Sequence, residues 1–399
     1  PVSLLAGENF TTLLGRDSDF QQYTVITSLG AQTSSSAADL QGMRGDLNKN
    51  YALGSSIDAT ATRNWHNGEG FVPIGRVRSS DFSAPGFSGS FHGLGNAISN
   101  LRIWHDAERY AGLFGKLNSG SRISHVTLAN INLDSPAIMA SSPAAGGLVG
   151  LNEGRIGDVQ VTGQLKGRIQ PGLVVGINRG SIERVAATGN IVTSSWLERA
   201  GGLVGFNEDL GLIKDSYAVV DLAHTGANSV VGGFVGLNRG TITNAYSAGT
   251  VTEVISRNSR DFVGLDVGVT TNGFGRTSAK PYIQSTYGTK SGDGTWVGFD
   301  FDNVWFMIDG QTRPMLRMER SAKITNANQL QLMAIAPDGD YALANDIDLS
   351  ADLGRDLGLW RDGFVPVGDA NTAGEFTGSL SGAGHTISAL AVNVDRNVT

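Results

Sequence analysis

Six histidines, scattered carboxylates, six tryptophans and one Arg-Gly-Asp tripeptide are the side chains in this 399-residue chain that could carry chemistry or recognition. The histidines are His66, His92, His105, His125, His224 and His385, and no two fall at the spacing of a His-Glu-x-x-His zinc helix. No Gly-x-Ser-x-Gly nucleophile elbow occurs. Gly112-Leu-Phe-Gly-Lys116 lacks the spacing and the following Ser or Thr of a phosphate loop. There is no cysteine, which removes disulfides, thiolate metal sites and cysteine nucleophiles together. The expectation is a protein without catalytic residues, without a cofactor and without a dedicated metal site.

Three weaker features could bind something. Asp346, Asp348, Asp352 and Asp356 sit in one segment, as do Asp300, Asp302 and Asp309. Hard oxygen ligands of this kind could hold Ca²⁺, but alternate Asp residues on a solvent-facing strand give the same spacing. Arg44-Gly45-Asp46 spells the integrin-binding tripeptide, and an ordinary loop is the alternative. Trp196, Trp104 and Trp296 are candidate platforms for a sugar ring, since an exposed indole offers an apolar face and a polar N–H. The alternative for each is packing against the flank of the fold.

The elements that would position these residues follow from composition and repeats. Glycine contributes 55 residues, about 14% against a usual share of about 7%. Hydrophobic residues make up 40% and the formal net charge is only −7, so the chain can bury a core. Lys and Arg form no block, which argues against nucleic acid as a partner. No apolar run approaches the roughly 20 residues of a spanning helix, so no membrane insertion is expected in this segment.

Internal repeats decide the fold class. Gly146-Gly-Leu-Val-Gly-Leu-Asn152 returns as Gly201-Gly-Leu-Val-Gly-Phe-Asn207 and as Gly232-Gly-Phe-Val-Gly-Leu-Asn238. Weaker copies end at Asn178 and Asn118, and Asp261-Phe-Val-Gly-Leu-Asp266 is a decayed one. The last glycines of the boxes, Gly115, Gly150, Gly176, Gly205, Gly236 and Gly264, are spaced by 35, 26, 29, 31 and 28 residues. A fixed core with variable spacing fits stacked coils with loops of different length. After each box an Ile is followed three residues later by an apolar pair two apart, as in Ile156, Val159 and Val161. That pattern predicts a bend between two short strands, and a third strand follows the next glycine.

The predicted fold is all-β: a parallel β-helix, or β-solenoid, right-handed by the general preference of parallel crossovers, and a slice of a longer rod. The box glycines, Gly115, Gly150, Gly176, Gly205 and Gly236, are expected to take positive φ at bends. Asn118, Asn152, Asn178, Asn207 and Asn238 share one repeat position. They either form an amide ladder along the rod or tolerate a left-handed turn; both roles are structural.

A longer repeat overlies the short one. Tyr51-Ala-Leu, Phe71-Val-Pro-Ile-Gly75 and Phe87-Ser-Gly-Ser return as Tyr341-Ala-Leu, Phe364-Val-Pro-Val-Gly368 and Phe376-Thr-Gly-Ser, offset by 289 to 293 residues. The expected organisation is a flanking segment (1–37), an opening block (38–105), stacked short coils (106–267), an irregular loop or closing segment (268–320) and the start of a second long repeat (321–399).

The boxes followed by Asn-x-Gly-x-Ile resemble the GLUG motif of large secreted bacterial surface proteins. The opening block, with Gly70-Phe-Val-Pro-Ile-Gly75 and Phe91-His-Gly-Leu-Gly-Asn-Ala-Ile-Ser99, is similar to shaft repeats of filamentous-haemagglutinin-like adhesins. The resemblance implies an exoprotein of the two-partner secretion type, exported through an outer-membrane partner to the bacterial surface or beyond. It implies a structural and binding rod that mediates adhesion to cells, surfaces or polysaccharide, including biofilm matrix, without catalysis. A polysaccharide lyase or hydrolase on the same fold, and a passive stalk carrying an effector or protease, are the alternatives.

Overall fold

The computed structural model describes residues 1–13, 20–78, 81, 83–104, 108–134, 144–167, 170–193, 199–226, 229–253, 258–276, 282–353, 358–368 and 374–392. By their own contacts the residues form two units, Pro1–Thr277 and Ser278–Thr399.

Unit 1 is a parallel β-solenoid. Six box strands, Phe114–Leu117, Val149–Asn152, Val175–Asn178, Val204–Asn207, Val235–Asn238 and Val263–Asp266, stack into one sheet. The six short strands that precede the boxes, from Tyr110–Ala111 through Ala144–Gly146 to Asn258–Arg260, stack into a second. A third sheet carries the long strands Arg122–Asp134, Arg155–Gly167, Ser181–Thr193 and Leu212–His224 in parallel register. Ile123, Ile156, Ile182, Ile213 and Ile242 lie one above another in this register and are buried in a single core. Each such side chain contributes roughly 1.5–3 kcal/mol by leaving water. Aromatic rings repeat the same way, with Tyr217 stacked on Tyr246 at 5.1 Å and Phe234 on Phe262 at 5.1 Å.

The strands are partitioned differently from the sequence expectation. In four coils the Ile strand and the strand after the next glycine are one continuous 13-residue strand, as in Arg155–Gly167; in the coil of Ile242 they stay separate, as Thr241–Ser247 and Val251–Glu253. The bend foreseen between Ile156 and Val159 is made by a single left-handed residue: Asp158 (φ 56), Arg184 (φ 53), Asp215 (φ 46) and Asn244 (φ 53) in successive coils. Asp and Asn tolerate that conformation through local hydrogen bonding. Arg184 is held there by a paired hydrogen bond to Asp158, Nε to Oδ1 at 2.6 Å and Nη2 to Oδ2 at 3.0 Å. One such residue turns the chain without interrupting the ladder, so no strand break is needed.

The expected role of the box glycines also needs correction. Gly115, Gly150, Gly176, Gly205 and Gly236 lie inside extended strands, and none has positive φ. Close approach is what demands glycine. A Cβ on Gly176 would stand 2.7 Å from the Cβ of Ala144 and 2.8 Å from the nitrogen of Ala145; one on Gly236 would stand 2.6 Å from the Gly205 carbonyl. A Cβ on the preceding Gly146 would meet the Val149 carbonyl at 2.2 Å. The box strand and the short strand before it therefore fold against each other with backbone touching backbone.

The solenoid extends beyond the boxes at both ends. Phe20–Ile26 pairs in parallel with Tyr51–Leu53, which pairs with Ser90–His92, which pairs with Arg122–Asp134. Val269–Phe274 continues the ladder on Thr241–Ser247.

Unit 2 repeats the opening of unit 1. Lys323–Ile324, Asp340–Leu343 and Ser379–Ser381 pair in parallel, as do Ile347–Asp348 and Ile387–Ser388. Two antiparallel pairs precede them, Gly288–Lys290 with Trp296–Gly298 and Trp305–Phe306 with Met315–Leu316. Ile308 and Met315 share a core with Leu330, Leu343 and Trp360. The duplication reaches buried polar groups. Gln41 donates Nε2 to the Val72 carbonyl (3.0 Å) and accepts from the Val72 N–H (3.1 Å); Gln331 does the same to Val365 (3.1 and 3.2 Å). The Tyr51 hydroxyl donates to the Asp46 carbonyl at 2.8 Å and the Tyr341 hydroxyl to the Ala336 carbonyl at 2.7 Å.

Candidate ligand-binding flank

The Asn position of the box builds an axial ladder. Asn152 Nδ2 donates to Asn178 Oδ1 (2.8 Å), Asn178 to Asn207 (2.7 Å), Asn207 to Asn238 (2.8 Å) and Asn238 to Asp266 Oδ1 (2.8 Å). The four asparagines are fully buried. Asp266, which can only accept, closes the chain of donors and takes Thr270 Oγ1 on its other oxygen at 2.6 Å. Asn118 is not a member. The register sets Lys116 opposite Leu151 and Leu117 opposite Asn152, because two residues rather than one separate the box glycine from Asn118. Asn118 instead donates to the Gly86 carbonyl (3.1 Å) and the Ser88 hydroxyl (2.9 Å).

The residue after each ladder Asn points outward, and its charge alternates: Glu153, Arg179, Glu208, Arg239. Arg179 bridges both neighbours, with Nη1 3.3 Å from Glu153 and Nε 2.5 Å from Glu208. Lys116 Nζ lies 3.2 Å from the other oxygen of Glu153. The hydrogen bonds that Arg179 donates to Glu208 hold its guanidinium even more firmly protonated than usual. These pairs are substantially exposed, and each is worth about 1 kcal/mol or less.

Beneath the charges lies a second, smaller core. Leu151, Ile177, Phe206 and Leu237 face outward from the box sheet, stacked in register, and pack with Val77, Tyr110 and Ala144. Two arginines close over it: the Arg199 guanidinium stands 4.7 Å from the Phe206 ring centre and that of Arg239 5.7 Å. Burial, and then the charge of Arg239, lower the Arg199 pKa. Arg109 lies over Tyr110 at 5.5 Å and donates Nε to its hydroxyl at 3.1 Å. At this end of the flank a cavity of about 390 Å³ opens, lined by Val77, Arg109, Tyr110, Lys116, Leu151, Glu153 and Arg179. Val77, Tyr110 and Leu151 are buried behind it, and its one carboxylate, Glu153, is shared between Lys116 and Arg179.

The other sequence candidates are not gathered into one site. Trp104 is half-buried and its backbone N–H donates to the Glu69 carbonyl at 2.6 Å. Trp296 belongs to unit 2, edge-on to Phe301 at 5.2 Å with Lys290 Nζ 5.2 Å from its ring centre. Trp196 lies outside the described residues. Arg44-Gly45-Asp46 ends a short 3₁₀ turn, Gln41–Gly45, rather than an open loop. Arg44 donates to the carbonyls of Thr33 and Ser34, both at 2.7 Å, so its guanidinium ties down the preceding serine-rich loop. The acidic segments engage backbone N–H groups: Asp300 accepts from Asp302 and Asn303, Asp309 from Gln284, Asp346 from Thr386 and Asp348 from Ser350. Asp356 lies outside the described residues. Among the described residues no three His, Asp or Glu side chains converge on a metal position. The cationic flank was missed from the sequence, although the alternation after each Asn was there to be read once the boxes were aligned.

Comparison with known proteins locates this architecture. Residues 227–252 match the GLUG motif, and in the fold they span one coil, from the approach to Val230–Gly232, through the box and the bend at Asn244, to Val251. That segment is a GLUG repeat. Halomucin from Haloquadratum walsbyi is 40% identical over 129 residues, 32% of this chain and 1% of halomucin. The chain thus spans about a hundredth of the length of that relative. The crystal structure of a candidate immunoglobulin A1 protease from Bacteroides ovatus superposes with a TM-score of 0.41 and 17% identity, over 71% of this chain and 93% of that one.

Proposed function

We propose that this chain is a mechanical and binding rod segment of a surface-associated protein, working in adhesion without catalysis. The observation that carries this reading is the unbroken donor chain from Asn152 to Asp266, set within three parallel sheets that share one register. From the coil of Asn152 to that of Asp266 each coil is bonded to the next by backbone and side chain along the same axis, so a pull along the rod is shared by many bonds at once. The GLUG coil and the likeness to a segment of halomucin support a place at the cell surface or outside the cell. The likeness of the opening block to adhesin shafts supports export by two-partner secretion. The reading needs no cofactor and no metal; its partners are polysaccharide or cell-surface ligands.

The test is to immobilise the chain and measure binding of bacterial cells and of a polysaccharide panel, while assaying the same mixtures for released sugar ends. Retention without release is expected. Turnover abolished by changing a single carboxylate would replace this reading with that of a polysaccharide-degrading enzyme. Absence of binding to every cell and polysaccharide would leave a passive stalk.

A further inference from the structure

We propose that the face of unit 2 formed by Phe376, Leu380, Ile387, Leu390 and Val392 is a docking surface for one further β-coil, of the kind that residues 110–134 form in unit 1. The occupant is a polypeptide coil that adds parallel strands to Ser379–Ser381 and Ile387–Ser388 and lays an aromatic ring on Phe376. This concerns how the rod is extended and stands or falls apart from what the rod adheres to. Three observations carry it. The first is a difference between two copies of one block. Ser90–His92 and Ala97–Ser99 of unit 1 correspond to Ser379–Ser381 and Ile387–Ser388 of unit 2, offset by 289 residues. Their left-handed residues match: Leu94 (φ 52), Gly95 (φ 76) and Asn100 (φ 60) against Ala383 (φ 49), Gly384 (φ 86) and Ala389 (φ 55). In unit 1 the block is covered. Arg122–Ser124 and Thr127–Ala129 pair in parallel with its two strands, and the Phe114 ring lies 5.1 Å from Phe87 and 5.5 Å from Phe91. Phe87, Phe91 and Leu101 are fully buried there, whereas their counterparts Phe376, Leu380 and Leu390 are 36%, 42% and 51% exposed.

Second, the strand edges are open. Among the described residues Ser379–Ser381 pairs only with Asp340–Leu343, and Ile387–Ser388 only with Ile347–Asp348. An open edge takes an added strand through main-chain hydrogen bonds, and a solenoid unit buries its apolar face only by stacking on another. Third, one glycine is cleared for a coil. In unit 1 the next coil presses on Gly93: a Cβ there would stand 2.3 Å from the His125 carbonyl and 2.5 Å from the Val126 Cβ. Its counterpart Gly382 is also glycine, yet a Cβ on it would meet only the His385 carbonyl, at 3.7 Å, and its φ is not positive. Neither a left-handed turn nor crowding within unit 2 requires that glycine. A backbone seated on it as His125–Val126 sits on Gly93 does, and this singles out a coil over a sugar or a globular domain.

The experiment adds a synthetic peptide of residues 108–134 to the whole chain and reads hydrogen exchange at the amides of Gly382, Gly384 and Ala389. Their counterparts Gly93, Gly95 and Asn100 donate to the carbonyls of Ser124, His125 and Ala129 in unit 1. One-to-one binding is expected, with exchange at these three amides slowed about tenfold or more at saturation. A second arm fuses residues 111–134 behind Thr399, which should protect the same amides without added peptide. Gly382→Ala and Leu380→Asp in the chain, and Phe114→Asp in the peptide, should each weaken binding about tenfold or more. Melting of the two chain variants should be unchanged, because both positions are open in unit 2 alone. Protection by neither peptide nor fusion overturns the docking surface. Protection by a scrambled peptide, or protection indifferent to Gly382→Ala, overturns the coil as its occupant. Protection in the chain alone that rises with its own concentration replaces the coil by a second copy. Cell and polysaccharide binding are read separately, so each of these outcomes leaves the adhesive reading untouched.

Discussion

Asn178 passes its side-chain amide to Asn207 at 2.7 Å while accepting from Asn152 at 2.8 Å, in a position closed to solvent. The middle of the ladder is therefore saturated on both sides, and its removal leaves two buried groups without partners. Asn178→Leu should destabilise the solenoid by about 2–4 kcal/mol, read as a lower urea midpoint. Asn207→Asp should also destabilise, since it sets an acceptor against Asn238 Oδ1. Asp266→Asn, at the end where only an acceptor is required, should change stability by less than about 0.5 kcal/mol. Equal effects at all three positions would refute a directional ladder.

Box glycines should separate sharply from glycines in the open positions of the long strands. Gly176→Ala drives a methyl into the Ala144 side chain and the Ala145 backbone, and a loss of about 3 kcal/mol or more is expected. Gly157→Ala is the control: its nearest neighbour would be the Glu183 carbonyl at 3.5 Å, and its φ is not positive. That change should be neutral or stabilise by up to about 0.5–1 kcal/mol through the unfolded chain. Matched thermal melts of the two variants decide the point.

The glutamine clasps predict a paired behaviour of the two units. Gln331 serves the N–H and carbonyl of Val365 and also accepts from the Trp360 indole at 2.6 Å. Gln331→Leu should cost about 3 kcal/mol or more, because these buried groups lose their partner together. Gln41→Leu breaks the equivalent clasp on Val72 and should also destabilise. Hydrogen exchange at the Val365 and Val72 amides would report each loss locally; protection unchanged in both variants would contradict the clasp.

His92 supplies a pH dependence. Burial, with the charges of His125 and Arg122, pushes its pKa down to about 4, while its Nδ1 accepts from the Leu94 N–H at 3.0 Å. The unfolded chain takes up the same proton near pH 6.5. The folded state thus binds fewer protons between these values, so stability is full above about pH 6.5 and falls as the pH drops towards 4. Below that this group adds no further slope. Partial exposure screens the effect to about 1–2 kcal/mol. His92→Asn, which keeps an acceptor for Leu94, should flatten the difference in unfolding free energy between pH 7 and pH 4.5. An unchanged difference would remove His92 as its source.

Much of this protein is legible in one dimension because a solenoid writes its third dimension as a period. The Gly-Leu-Val-Gly-x-Asn box, the Ile three residues before an apolar pair, and the repeat of Tyr51 at Tyr341 are local in sequence and recur as neighbours in space. Leu40-Gln41-Gly-Met43 and Leu330-Gln331-Leu-Met333 belong to the same duplication, and their clasps could have been read from the offset.

Register and close contact were set only by the fold. One extra residue before Asn118 puts Leu117 at the ladder position and moves Asn118 out of it, which no count of Asn residues reveals. The glycines of the box were legible as necessary but not why: their extended φ rules out a turn requirement, and the backbones pressed against them supply the reason. The cationic flank depends on Arg109, Arg179, Arg199 and Arg239, which are far apart along the chain and meet because coils stack. Periodicity determines which residues share a height on the rod. Only the packed structure decides which way each side chain faces, because that follows from bends one residue long.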